Sequence, residues 1–133
     1  MIKKVVCGGT FDHFHPGHAY FLKEARALGS SLTVVVARDE TVLRIKGFLP
    51  TDNENDRLMN VQNSGIADDV ILGNYGEDLF VIIDEIAPSI IALGYDQRLS
   101  ETEMKLRFPE ADVLRLESFS PEKYKSSYYR KKK

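Results

Sequence analysis

Apolar positions along the chain fall into two alternating kinds of run. Ile2 to Cys7 ends in a short apolar stretch, and Leu32 to Ala37 is β-branched almost throughout, the pattern of strands buried on both faces of a parallel sheet. Asp69 to Gly73, Ser89 to Gly94 and Ala111 to Leu116 repeat it. Helical spacing lies between. Phe21, Leu22, Ala25 and Leu28 share one face, with Gly29 as a stop. Thr51-Asp52-Asn53-Glu54 has the form of a capping box opening a helix through Val61, which Gly65 should end. Leu79 to Ile86 predicts a helix that halts before Pro88, and Ser100 to Glu103 caps one that reaches Phe108. Strand and helix in alternation require crossover connections. They predict an α/β fold, a Rossmann-like three-layer sandwich with a five-stranded parallel sheet. No linker, repeat or low-complexity stretch interrupts it, so residues 1–133 are expected to form a single domain.

Sheets of this kind bind ligands beyond the carboxyl ends of their strands. Residues 8 to 18, Gly-Gly-Thr-Phe-Asp-His-Phe-His-Pro-Gly-His, occupy that place after the first strand. Gly8 and Gly9 allow close approach of the backbone to a ligand, and Pro16-Gly17 launches a helix whose N–H groups and dipole favour an anion. All 3 histidines of the chain, His13, His15 and His18, sit in this turn. They could supply three nitrogen ligands to a metal, but the spacing is unusual for zinc and only Asp12 stands by to complete a set. No metal ligands are assigned. Capping or packing of the turn is the other plain reading, and it is the one adopted for His13.

Composition narrows the rest. With 133 residues and 43% hydrophobic content, the chain can bury one respectable core. A formal net charge of -2 argues against general nucleic-acid binding, and the basic run Arg130 to Lys133 reads as a solvated tail. The lone Cys7 excludes an internal disulfide, fits a reducing cytoplasm and has the apolar neighbours of a structural thiol. No signal peptide or membrane-length apolar run is present, so a cytoplasmic protein without a membrane partner is expected.

Gly9-Thr10-Phe11-Asp12 followed by His15-Pro16-Gly17-His18 resembles the GTFDxxHxGH signature of the nucleotidyltransferase superfamily that includes the cytidylyltransferases. The resemblance implies that His15 and His18 hold the nucleotide phosphates and stabilise the transition state at the α-phosphorus. Thr10, Phe11, Pro16 and Gly17 would then surround the nucleotide. Arg38 and Lys46, after the second strand, could face phosphate oxygens. The resemblance favours Lys46 as a catalytic phosphate contact, and a solvated charged loop is the alternative for both. Arg57 matches a position where relatives carry a phosphate- or substrate-contacting arginine; an exposed helix arginine is the alternative. Gly94-Tyr95-Asp96-Gln97 resembles the family's G-x-D segment, implying a nucleotide contact for Asp96 unless it only starts a turn. Relatives bind the triphosphate with a C-terminal Ser/Thr-rich segment. Ser126 and Ser127 could do so here and Tyr124 could stack on the base, or the serines may simply cap and the tyrosine pack.

Across nearly its whole length the chain looks most like the small stand-alone archaeal FAD synthases, which adenylylate FMN with ATP. Val36 to Thr41, Gly94 to Gln97 and Lys125-Ser126-Ser127 carry that likeness. It implies ATP and FMN as substrates, a divalent cation, Mg²⁺, bridging phosphates, and a homodimer. An incoming phosphate is already an anion, so the lack of a Ser-His-Asp or reactive-cysteine arrangement is consistent with such a transfer. Two alternatives stand beside it. Glycerol-3-phosphate cytidylyltransferases, which use CTP, are similar in length, but typically carry an Arg-Thr-x-Gly-Ile-Ser motif and a Trp after the G-x-D aspartate. This chain has Tyr124 to Ser127 and Gln97 there, and no Trp. A non-catalytic nucleotide-binding domain is the other, and the intact pair of His15 and His18 speaks against it.

Overall fold

The structure is a computed structural model describing residues 2–95 and 97–117. Among these the chain runs β1 (Lys4–Gly9), α1 (Pro16–Arg26), β2 (Ser31–Val36), α2 (Asp39–Lys46), α3 (Glu54–Asn63), β3 (Asp69–Leu72), α4 (Val81–Ile86), β4 (Ile90–Leu93), α5 (Glu101–Arg107) and β5 (Asp112–Arg115). The strands form one parallel sheet in the order β3-β2-β1-β4-β5.

Strand periodicity decides what lies on each face. Val5 and Cys7 of β1 point into one core, with Val34 of β2, Leu22 and Ala25 of α1 and Val61 of α3. Val6, between them, points into the other, with Ile91 and Leu93 of β4, Met104 of α5 and Ile83 of α4. Two cores on opposite faces of one sheet make the expected three-layer sandwich. Cys7 is buried, which pushes its thiol pKa up and keeps it protonated, as a structural thiol requires.

Order in the sheet fixes where a site can form. From β1 the chain steps to β2 and β3 on one side, then crosses back to β4 and β5 on the other. β1 pairs with β2 from Lys4↔Ser31 to Gly9↔Val36, but with β4 only at Val5↔Ile90 and Val6↔Ile91. Past those residues β1 and β4 part, and the parted ends form the crevice that such sheets offer to ligands.

Several local expectations need correction. A further helix, α2, for which no expectation was stated, extends from Asp39 to Lys46 and closes on Gly47, whose φ of 85° suits glycine. Thr51 does not cap the next helix. Asn53 does, its side chain accepting the Asp56 N–H at 2.8 Å. α4 starts at Val81 rather than Leu79. α1 ends at Arg26, short of Leu28, so Gly29 is not its cap. Gly29 is small for another reason: a Cβ there would lie 2.5 Å from Lys3 O and 2.8 Å from Val5 Cγ2. No described helix is long and apolar enough to cross a membrane.

Because Lys3 O is backbone and cannot swing away, Gly29→Ala must displace the start of β1. It is expected to lower the unfolding free energy by about 2 kcal/mol in chemical denaturation. An unchanged transition midpoint would contradict this packing.

Candidate active site

The turn after β1 is built from unusual backbone. Phe11 and His13 both hold positive φ, 55° and 49°, a region costly for side chains of their kind. Phe11 is nonetheless buried, and Gly9 makes room for it: a Cβ at Gly9 would stand 3.1 Å from the Phe11 ring. The ring in turn meets His18 edge-on at 5.4 Å between centroids, and Phe14 flanks His18 at 5.5 Å.

His15 is the N-cap of α1. Its Nδ1 accepts the Gly17 N–H at 3.1 Å, while His18 Nδ1 accepts the His15 N–H at 3.3 Å. The two imidazoles thus do the work that Ser/Thr and Glu do in an ordinary capping box. A backbone N–H can only donate, so each Nδ1 must be bare and each neutral ring carries its proton on Nε2. The rings stack with centroids 3.8 Å apart at 23°. Two imidazole N–H donors therefore sit at the positive end of a helix, an arrangement suited to phosphate oxygens.

Two side chains hold this turn against α3. Asp12 accepts the N–H of Thr51 through Oδ2 at 2.8 Å and that of Asp52 through Oδ1 at 2.9 Å; Asp52 Oδ2 accepts the His13 N–H at 3.3 Å. Desolvation raises the Asp12 pKa, but these backbone donors, with the charges of His13 and Arg57, outweigh it and hold the carboxyl below its ordinary value. Arg57 is fully buried. Its Nε donates to Asp52 O at 2.9 Å, Nη1 to Thr10 O at 2.8 Å and Nη2 to Asp39 Oδ1 at 2.7 Å. Arg57 is therefore not an exposed helix arginine, and its place gives no support to a phosphate contact, since it is fully buried and does not line the cleft. Asp39 and Glu54 complete the joint by capping one another: Asp39 N–H donates to Glu54 Oε1 at 2.8 Å and Glu54 N–H to Asp39 Oδ2 at 3.3 Å.

A cleft of about 1450 Å³ opens over the carboxyl ends of the strands. Thr10, Phe11, His15, Pro16, Gly17, His18, Arg38 and Lys46 all line it. Arg57 does not. Asp96, Tyr124, Ser126 and Ser127 lie outside the described residues. Arg38 is already occupied: Nε donates to Gly73 O at 2.6 Å, Nη1 to Tyr75 Oη at 2.9 Å, and the guanidinium lies 3.8 Å over the Tyr75 ring. Lys46 is exposed and makes no hydrogen bond or ion pair with a described residue. A smaller hollow of about 500 Å³ beside β5, near Lys105 and Leu106, contains none of these residues.

The cleft also holds residues the sequence reading did not single out. Ile45 and Phe48 line it while each is 61% exposed, giving it an apolar wall. Gln97 joins the parted strands: its Nε2 donates to Gly8 O at 3.2 Å and its Oε1 accepts the Gly94 N–H at 2.7 Å. Arg98 follows it on the same wall. Their position just past the fourth strand was the available signal. Among the described residues no group of three His, Cys, Asp or Glu side chains could hold a metal ion.

Arg57→Met keeps the volume and leaves Asp39, Thr10 and Asp52 without their donor; it is expected to cost about 3 kcal/mol of stability in urea unfolding, and a loss under 1 kcal/mol would refute the joint described. Asp12 carries a pH signature. Its folded pKa is lowered, so its stabilisation is present above the unfolded value of about 4 and is lost as pH falls through the folded one. The gap in melting temperature between the native protein and Asp12→Asn should accordingly be widest near neutrality and close below about pH 4. A gap constant with pH would remove the carboxylate from this role.

The cytidylyltransferase-like family profile matches residues 6–132. A curated relative from Thermoplasma volcanium, named FAD synthase, is 38% identical over 97% of this chain and 92% of its own. Another so named, from Methanolacinia petrolearia, is 42% identical over 95% of this chain and 86% of its own. Among solved structures, a crystal structure of a protein described as the lipopolysaccharide core biosynthesis protein from Thermoplasma volcanium superposes with a TM-score of 0.84. It is 36% identical and covers 90% of this chain and 100% of that one. By sequence, by fold and by its paired histidines at the head of α1, the chain belongs to the cytidylyltransferase-like family.

Proposed function

We propose that the protein is an FAD synthase that transfers the AMP moiety of ATP to FMN, giving FAD and pyrophosphate. The capped, stacked pair of His15 and His18 carries this reading, since it offers two N–H donors where charge develops during phosphoryl transfer. A phosphate oxygen of FMN attacks the α-phosphorus of ATP in line. The bond from that phosphorus to the bridging oxygen breaks, and pyrophosphate departs with the electron pair. No base is required, because the attacking oxygen is already anionic. Helix and histidines hold the phosphates in place and meet the charge as it grows, so catalysis is positioning plus electrostatics.

Cleft shape favours FMN over a small polar acceptor. About 1450 Å³ exceeds what one drug-sized ligand fills and leaves room for a nucleotide and a second large substrate. The exposed apolar wall of Ile45 and Phe48 suits a flat isoalloxazine and has no use in binding glycerol phosphate or a sugar. Lys46, between those two residues in sequence, takes the acceptor phosphate. The described residues offer no protein cage for a metal, so a divalent cation would enter on the triphosphate. Mg²⁺ carried in this way would neutralise phosphate charge. In this reading Asp96 lies at the nucleotide and Tyr124, Ser126 and Ser127 serve its base and triphosphate. Residues 1–133 then act as one catalytic unit, as a homodimer in the cytoplasm with neither nucleic acid nor membrane as partner.

Purified protein with Mg²⁺ is to be offered ATP or CTP, each with FMN or glycerol 3-phosphate, while pyrophosphate release is followed. Turnover is expected with ATP and FMN, and His18→Ala should lower kcat about a hundredfold. Because that change also removes a helix cap, a melting curve of the variant must show it folded at the assay temperature. Turnover with CTP and glycerol 3-phosphate alone would replace this reading.

A further inference from the structure

The described residues past β4, Gly94 and Gln97 to Leu99, are tied from two directions. Arg115, on β5, donates through Nη1 to Gly94 O at 2.7 Å and Gln97 O at 3.0 Å, and through Nη2 to Leu99 O and to Glu101 Oε1. From the cleft side, the Gln97 carboxamide fastens the same segment to Gly8 O and Gly94 N–H. The carbonyls just before and just after Arg98 are thus held by a single guanidinium. Arg98 itself is exposed, lines the cleft and makes no hydrogen bond or ion pair with any described residue. A backbone tied at the carbonyls on both sides, carrying a cation that no described residue engages, is arranged for a ligand, because less ordering is left to oppose binding.

Topology says which ligand. β1 lies between β2 and β4, so the walls that follow β2 and β4 flank the histidine turn on opposite sides. Ile45, Lys46 and Phe48 follow β2 and make the wall suited to the acceptor. Arg98 follows β4 and belongs to the other half of the cleft, where the nucleotide must lie. Of the three described Lys and Arg side chains lining the cleft, Arg38 is bonded to Gly73, Tyr75 and Glu54, and Lys46 stands on the acceptor wall. That leaves Arg98 for the triphosphate.

We propose that Arg98 binds the β- and γ-phosphates of the nucleotide and holds them as the leaving pyrophosphate, its planar fork spanning two phosphate oxygens. This rests on the proposed function, whose acceptor wall of Ile45 and Phe48 leaves the other half of the cleft to the nucleotide, but the test itself uses no FMN. Titrate the whole protein and its Arg98→Gln and Arg98→Lys variants calorimetrically with Mg²⁺-pyrophosphate and with Mg²⁺-ATP, and record the melting temperature of each. The Gln variant should bind both ligands about tenfold more weakly with an unchanged melting temperature. The Lys variant, which keeps the charge and loses the fork, should fall between. Wild-type affinity of the Gln variant for pyrophosphate would overturn the assignment, even if its affinity for FMN had changed. Failure of FMN as acceptor would leave these outcomes untouched and bear only on the proposed function.

Discussion

One buried guanidinium sets the geometry from which the site follows. Arg57 has no exposure to water, so its charge was stripped of solvent on folding, a cost of several kcal/mol that only close partners can offset. It finds them on three segments far apart in sequence: Asp39 at the head of α2, Asp52 just before α3 and Thr10 in the turn after β1. The same charge that makes this costly makes it directional. Three acceptors at 2.7 to 2.9 Å define one placement of the turn relative to both helices, which an apolar side chain of equal volume could not specify. Asp12 repeats the logic on a smaller scale, tying the turn to Thr51 and Asp52. Between them, these two residues hold Phe11 and His13 in backbone conformations that would otherwise relax.

What the joint delivers is a pair of imidazoles with no freedom of tautomer. In most helices the N-cap is a small polar residue whose only task is to satisfy a backbone N–H. Here His15 and His18 satisfy backbone donors with one nitrogen and so commit the other to carrying the proton. Stacking against each other, with Phe11 and Phe14 beside His18, removes rotational freedom as well. Order in these two donors is thereby established before any ligand arrives, the condition under which hydrogen-bond donors are most effective.

Much of this was readable in the chain. The central strands were legible because burial makes them apolar or β-branched, while β3 and β5 at the edges keep exposed positions and were read from shorter runs; the switch point followed from the alternation with helices. His15 and His18 were legible because Pro16-Gly17 and the preceding glycines mark a strand-to-helix turn around them. Helix starts were less so. Thr51 fits the capping pattern, but its N–H is taken by Asp12, a residue 39 positions earlier, and Asn53 caps instead. Arg57 was misplaced for the same reason. Nothing local shows that Thr10, Asp39 and Asp52 converge on it, and without them a helix arginine reads as exposed. Phe48 drew no notice, since its interest lies in remaining exposed beside a cleft, a property of the surroundings rather than of the sequence nearby.

Gln97 has a consequence for the seam between β1 and β4. Where β1 and β4 cease to pair, its carboxamide inserts a donor toward Gly8 O and an acceptor toward Gly94 N–H, the two functions of the peptide group that is absent there. A tryptophan in its place would bring an indole, which has a donor but no acceptor. It could close onto one strand and would leave the amide of the other unanswered. One side chain, by the valence of its hydrogen bonds, thus joins the two strands beyond the point where their own peptide groups stop meeting.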